Sequence, residues 1–137
     1  MTGKELVDLI FQLRCNCIKR DDSIREECNL SPVEFRALSS MSPTDRISAA
    51  VFAEKLELSP SRVSRVIDRM VETGLISVES NEKDKRGVYI SLTSMGVQQK
   101  DLIEQARQLC VDKIESTLPE VERDAIGVSL HKLLESL

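Results

Sequence analysis

Apolar residues recur at helical spacing from the start of the chain. Residues 4 to 20 place Leu6, Leu9, Ile10, Leu13 and Cys17 on one side and leave Lys4, Glu5, Asp8, Arg14 and Lys19 to the other, which predicts an amphipathic first helix. Charge dominates from Asp21 to Asn29 and the period fades there. Ser31-Pro32-Val33-Glu34 then offers Ser as N-cap, Pro at N1 and Glu at N3, the reciprocal capping pattern, so a second helix is expected from Pro32 to Ser40. Ser42-Pro43-Thr44-Asp45 is turn chemistry.

From Ser48 the run SAAVFAEKLEL predicts a short helix with Phe52, Ala53 and Leu56 inward, and Ser59-Pro60 immediately opens another. That next helix buries Val63, Ile67 and Met70 with Val66 flanking, turns Arg62, Arg65 and Arg69 outward, and stops at Gly74, where glycine can take the left-handed conformation. Leu75 to Val78 and Val88 to Leu92 are β-branched and partly alternating, and the polar stretch between them ends in Gly87, so they predict a hairpin with a charged tip. After Thr93, an N-cap residue, a long helix carries Leu102, Ile103, Ala106, Leu109, Cys110, Lys113 and Ile114. Pro119 restarts a last helix with Val121, Ile126, Leu130, Leu133, Leu134 and Leu137.

Composition agrees with this helical reading. The 137 residues suit a single domain, 3% are aromatic, and Gly and Pro are few, which favours helices over a sandwich or barrel. The expected fold is mainly α (α+β). The net charge is −4, which argues against a chain that coats nucleic acid along its whole surface. Yet Ser59 to Ile90 holds six Lys/Arg against five Asp/Glu, and those cations cluster at Arg62/Arg65/Arg69 and at Lys83/Lys85/Arg86. The N-terminus has no basic start or unbroken apolar run, and nothing approaches a bilayer-spanning length, so a cytoplasmic protein without membrane contact is expected. In that compartment Cys15, Cys17, Cys28 and Cys110 should be reduced thiols.

Helix, tight turn, capped helix and a hairpin with a basic tip make a winged helix-turn-helix with a two-stranded β wing. The second helix of such a pair fits the major groove of duplex DNA. Ser59, Ser61, Arg62, Ser64, Arg65 and Arg69 are the candidates there, because arginine can fork onto guanine or phosphate and short hydroxyls bond phosphate oxygens. Lys83, Lys85 and Arg86 would reach the neighbouring minor groove or backbone. The blander reading of the wing charges is a solvated loop, and of the arginines a solvent-facing stripe paired to Asp68 or Glu72.

The stretch from Ala53 to Gly96 resembles the core of the multiple antibiotic resistance regulator (MarR) family, and the resemblance extends over nearly the whole chain. The matching pieces are the helix Ser31 to Ser40, the wing element Asp84-Lys85-Arg86, the Leu92-Thr93-Ser94-Met95-Gly96 sequence opening a long helix, and the terminal helices. The resemblance implies a DNA-binding part at about 31–93 and dimerisation helices at about 1–22 and 94–137. It also implies a wing stabilised by Asp84 pairing with Arg86, and a repressor released by a small molecule or an oxidant. Glu57 stands where the family commonly has Gly, in the turn between the two helices.

Apolar stripes on the terminal helices exceed what the middle of the chain can cover, which also argues for a two-fold homodimer and a pseudo-palindromic DNA target. For oxidant sensing the candidates are Cys15, Cys17 and Cys28, with core thiols and metal ligation as the other readings. The peroxide sensors of the family engage the thiol with tyrosines, and the only tyrosine here is Tyr89, in the wing. No metal cluster, cofactor motif or nucleophile–base pair is expected: His131 stands alone and no phosphate-binding glycine loop occurs, so the chain is not read as an enzyme. The rival classes are a cysteine-based redox regulator and a winged-helix module that contacts protein instead of DNA.

Overall fold

The computed structural model describes residues 1–80, 83 and 87–137. Six helices and three strands lie among them: α1 (Gly3–Glu27), α2 (Pro32–Ser40), β1 (Ile47–Ser48), α3 (Ala49–Leu56), α4 (Pro60–Glu72), β2 (Ile76–Ser80), β3 (Val88–Leu92), α5 (Ser94–Thr117) and α6 (Glu120–Ser136). The chain forms two compact units, Met1–Ile103 and Glu104–Leu137. None of the helices among the described residues is long and apolar enough to cross a membrane.

Local chemistry starts most of the helices where the sequence places them. Ser31, Ser48 and Ser59 each accept a hydrogen bond from the backbone N–H three residues on, at 3.2, 3.2 and 3.4 Å. Thr93 Oγ1 does the same for Gly96 N at 3.0 Å and itself donates to the Gly74 carbonyl. Gly74 sits at φ +79, and Leu75 N closes the helix end on Met70 O at 2.9 Å. Glu57 also takes a left-handed conformation, φ 53 and ψ 43, so the turn between α3 and α4 is made without glycine.

Three expectations change. The first helix does not fade at Asp21 but runs to Glu27, because Ile24 is buried and Arg25 reaches forward to hold Leu30 O at 3.1 Å. The wing is not a two-stranded hairpin alone: β1 pairs antiparallel with β3, giving a three-stranded sheet in the order β1-β3-β2 with Ile47 opposite Ile90. The capping box at Ser31 is half made, since Glu34 turns its carboxylate toward Arg69 on α4.

The core of the first unit gathers Phe35, Ala37, Leu38 and Met41 around α2, Phe52 and Leu56 from α3, and Val63, Ile67 and Met70 from α4. Ile24, Leu30, Leu75, Ile76, Ile90 and Ile103 join them. These are the apolar positions expected for α3 and α4, and they fix α4 with one face inward and the other toward solvent. In the second unit α6 buries none of its residues.

Candidate nucleic-acid interface

The exposed face of α4 follows from its buried one. Val63, Ile67 and Met70 recur at three- and four-residue spacing and face the core, so Ser61, Arg62, Ser64, Arg65, Asp68 and Arg69 are left in solvent. Among the described residues neither Arg62 nor Arg65 forms a salt bridge, so the blander reading, a stripe paired to Asp68 or Glu72, is not what the structure shows.

The serines are more committed. Ser59 Oγ caps the helix and lies 3.3 Å from Ser61 Oγ, while Ser64 Oγ donates to Pro60 O at 3.1 Å. A phosphate oxygen only accepts, so Ser64 would have to rotate out of that bond to serve it. The orphan N–H groups at the start of α4 face the same way as the positive end of its dipole.

Arg69 stands apart from the other two. Its Nε donates to Glu34 Oε1 at 3.1 Å, and the Glu34 side chain is 7% exposed against 70% for Arg69. A buried carboxylate needs such a partner, and the pair ties α2 to α4. The nearer carboxylate in sequence, Glu72, is not the partner.

At the sheet, Arg46 lies with its guanidinium carbon 4.4 Å from the centre of the Tyr89 ring and bonds Glu79 Oε2 at 3.0 Å. This braces the strand ahead of α3 against both strands of the wing, and it couples residues 33 positions apart, a distance over which no sequence period operates. Lys83 is exposed. Asp84, Lys85 and Arg86 lie outside the described residues.

Of the cysteines, Cys15 and Cys17 are exposed on α1, whereas Cys28 and Cys110 are half-buried, and all four are free thiols. Burial, and then the charge of Glu27, push the Cys28 thiol above its ordinary value of 9.0, which suppresses the thiolate needed for reaction with peroxide. No cluster of three or more His, Cys, Asp or Glu among the described residues could hold a metal ion.

Known proteins carry the same arrangement. Residues 29–87 match the family model described as MarR family. The chain is 31% identical over 114 residues to the uncharacterized HTH-type transcriptional regulator YkoM of Bacillus subtilis, covering 82% of this chain and 74% of that one. It is also 31% identical over 71 residues to the HTH-type transcriptional repressor MdtR of the same organism, covering 52% of this chain but 46% of the relative. The fold is shared with Streptococcus pneumoniae FabT, whose crystal structure is in complex with DNA, at a TM-score of 0.85 and 18% identity over 98% of this chain and 96% of that one. Both relatives are HTH-type transcriptional regulators. With the helix pair, the winged sheet and the matched core all in place, the chain belongs to the MarR family of winged helix-turn-helix transcriptional regulators.

Proposed function

We propose that this regulator is a cytoplasmic homodimer that binds a pseudo-palindromic duplex operator through α4 and the wing, and represses by occupying it. The observation that carries the reading is the pair Arg62 and Arg65, exposed and without a salt bridge to any carboxylate among the described residues, on a helix whose opposite face is locked into the core. Two such helices related by a two-fold axis meet successive major grooves when their centres lie about 34 Å apart. The dimer itself is supported by the apolar residues left in solvent: Leu9, Phe11 and Leu13 on α1, and Val121 and Leu134 on α6.

Base contact is assigned to Arg62 and Arg65. Ser59 and Ser61 are placed at the phosphate beside the start of α4, with Ser64 joining on rotation, and Arg69 reaches a phosphate with the nitrogens its bond to Glu34 leaves unused. Lys83, Lys85 and Arg86 contact the DNA backbone beyond the wing. A small-molecule effector is supported by a cleft of about 380 Å³ whose lining includes Cys28, Ser31, Glu34, Arg69, Leu75 and Gln99. Gln99 Oε1 is shielded from solvent there without a hydrogen-bond partner, and occupancy would bear directly on the Glu34–Arg69 pair.

Titration of purified protein against selected genomic fragments at two salt concentrations tests the reading. Binding should weaken steeply as salt rises, because phosphate contacts release counterions. Arg65→Ala should lower affinity for the selected fragment by about 1–3 kcal/mol and reduce discrimination between fragments. No binding, or binding indifferent to salt, would instead favour a winged-helix surface for protein. Peroxide treatment followed by reductant should leave affinity unchanged; a reversible loss would place the switch at Cys15, Cys17 or Cys28.

A further inference from the structure

Lys100 is the most buried cation among the described residues, at 8% exposure, and it lies on α5, within the first compact unit. Its Nζ donates to Leu38 O at 3.1 Å, across 62 positions of sequence. Leu38 is in the last turn of α2, where carbonyls have no partner within the helix and the dipole presents its negative end. A second lysine, Lys55 on α3, approaches the same helix end at Ser40 O, 3.4 Å away. The C-terminus of α2 is therefore held from outside by α3 and α5.

The opposite end of α2 carries Glu34, and Glu34 holds Arg69 on α4. With nine residues, α2 is about 13 Å long and fully core-packed through Ala37 and Leu38, so it moves as one body. Sliding α5 past α2 would strip a buried ammonium of a carbonyl acceptor where water has little access, and pulling α2 from α4 would strand a buried carboxylate. Both displacements are costly, so the part of α5 that lies in the first unit keeps a fixed relation to α2 and α4.

We propose that Lys100 is a positioning residue for DNA recognition: by pinning α2 to α5 it sets, through Glu34 and Arg69, the angle at which α4 is presented. This rests on the dimeric DNA-binding reading above. It adds that the long helix leaving the reading module controls half-site geometry through one buried cation, a residue that never approaches DNA itself. A cap that merely stabilises α2 would change the folded fraction and nothing else.

The test uses the full chain and a set of duplexes in which two copies of a selected half-site are separated by steps of one base pair around one helical turn. Affinities are corrected for the active fraction found by stoichiometric titration, and dimer content is followed by sedimentation. The parent should show one preferred spacing. Lys100→Met should bind that spacing about tenfold more weakly while losing little at neighbouring spacings, a flattened profile of the size expected for a broken coupling path. Lys100→Gln, which keeps a donor and a smaller perturbation, is read in the same way and decides the matter if the methionine variant does not fold. A folded variant with the parent's profile, however reduced its thermal stability, overturns the proposal and leaves Lys100 a helix cap. A parent that binds none of the duplexes overturns the DNA reading first and this proposal with it.

Discussion

Helices α4 and α6 both carry apolar residues along their length, yet they solve opposite problems. In α4 the apolar positions Val63, Ile67 and Met70 fall on one face and disappear into the core, which frees the other face for arginines. In α6 no residue is buried, and Val121, Val128 and Leu134 remain 79%, 57% and 77% exposed. A chain that hides its apolar residues so fully around α2, α3 and α4 has not failed to do so in α6 for lack of pattern. The middle of the chain is therefore complete alone, whereas the terminal segment is built to be covered by something else, which we assign to a second copy.

Phe52 of α3 is fully buried, so Phe52→Ala should cost about 3–5 kcal/mol through lost transfer energy and the cavity left behind. Chemical denaturation should show this loss at every protein concentration. On the other side, Leu109→Glu with Leu134→Glu places charge on residues 63% and 77% exposed, and should leave the fold of one chain intact while abolishing the dimer. Operator affinity should then fall on the order of 100-fold, because the second half-site contact ceases to be intramolecular. Sedimentation and a thermal midpoint that no longer depends on protein concentration check it; an unchanged dimer would refute the assignment of this surface.

The boundary between the two units falls within α5, and the start of that helix is closely fitted to the first unit. A Cβ added at Gly96 would run into the Leu75 carbonyl oxygen, which is backbone and cannot swing aside. Gly96→Ala should therefore push α5 away from the end of α4 and cost about 1–3 kcal/mol of stability, measurable by denaturation. A neutral result would mean that α5 begins more loosely than its capping by Thr93 implies.

These helix starts were readable in the sequence because their chemistry is local. A serine three residues ahead of the N–H it accepts from is visible to anyone counting, and so is the glycine that ends α4. The apolar period located Phe52, Val63, Ile67 and Met70 for the same reason. What the period could not carry was everything long-range: the pairing of Ile47 with Ile90, the bond from Arg69 to Glu34 and the bond from Lys100 to Leu38. Sequence proximity suggested Glu72 for Arg69, but a helix packed against another offers nearer partners in space. The continuation of α1 past Asp21 was hidden by charges that, once Ile24 is anchored, ride on the solvent side of the same helix. Arg62 and Arg65 were legible as a stripe, but that neither forms a salt bridge among the described residues was not.

The smallest expected effect sharpens the reading module itself. Glu57 and Asn29 both sit at φ 53, each just after a helix. The left-handed region costs an ordinary L-residue roughly 1–2 kcal/mol relative to glycine, whereas asparagine visits it with its short polar side chain at less cost. Glycine also loses more freedom on folding, which offsets part of any gain. Glu57→Gly should therefore stabilise the protein by about 0.5–1 kcal/mol, while Asn29→Gly should be close to neutral, both read as shifts in denaturation midpoint. Since Glu57 is exposed and lies in the turn ahead of α4, relief of its strain should leave DNA affinity nearly unchanged. A gain in stability accompanied by loss of binding would show that the strained turn helps aim α4, and that the reading helix is set locally as well as through α2.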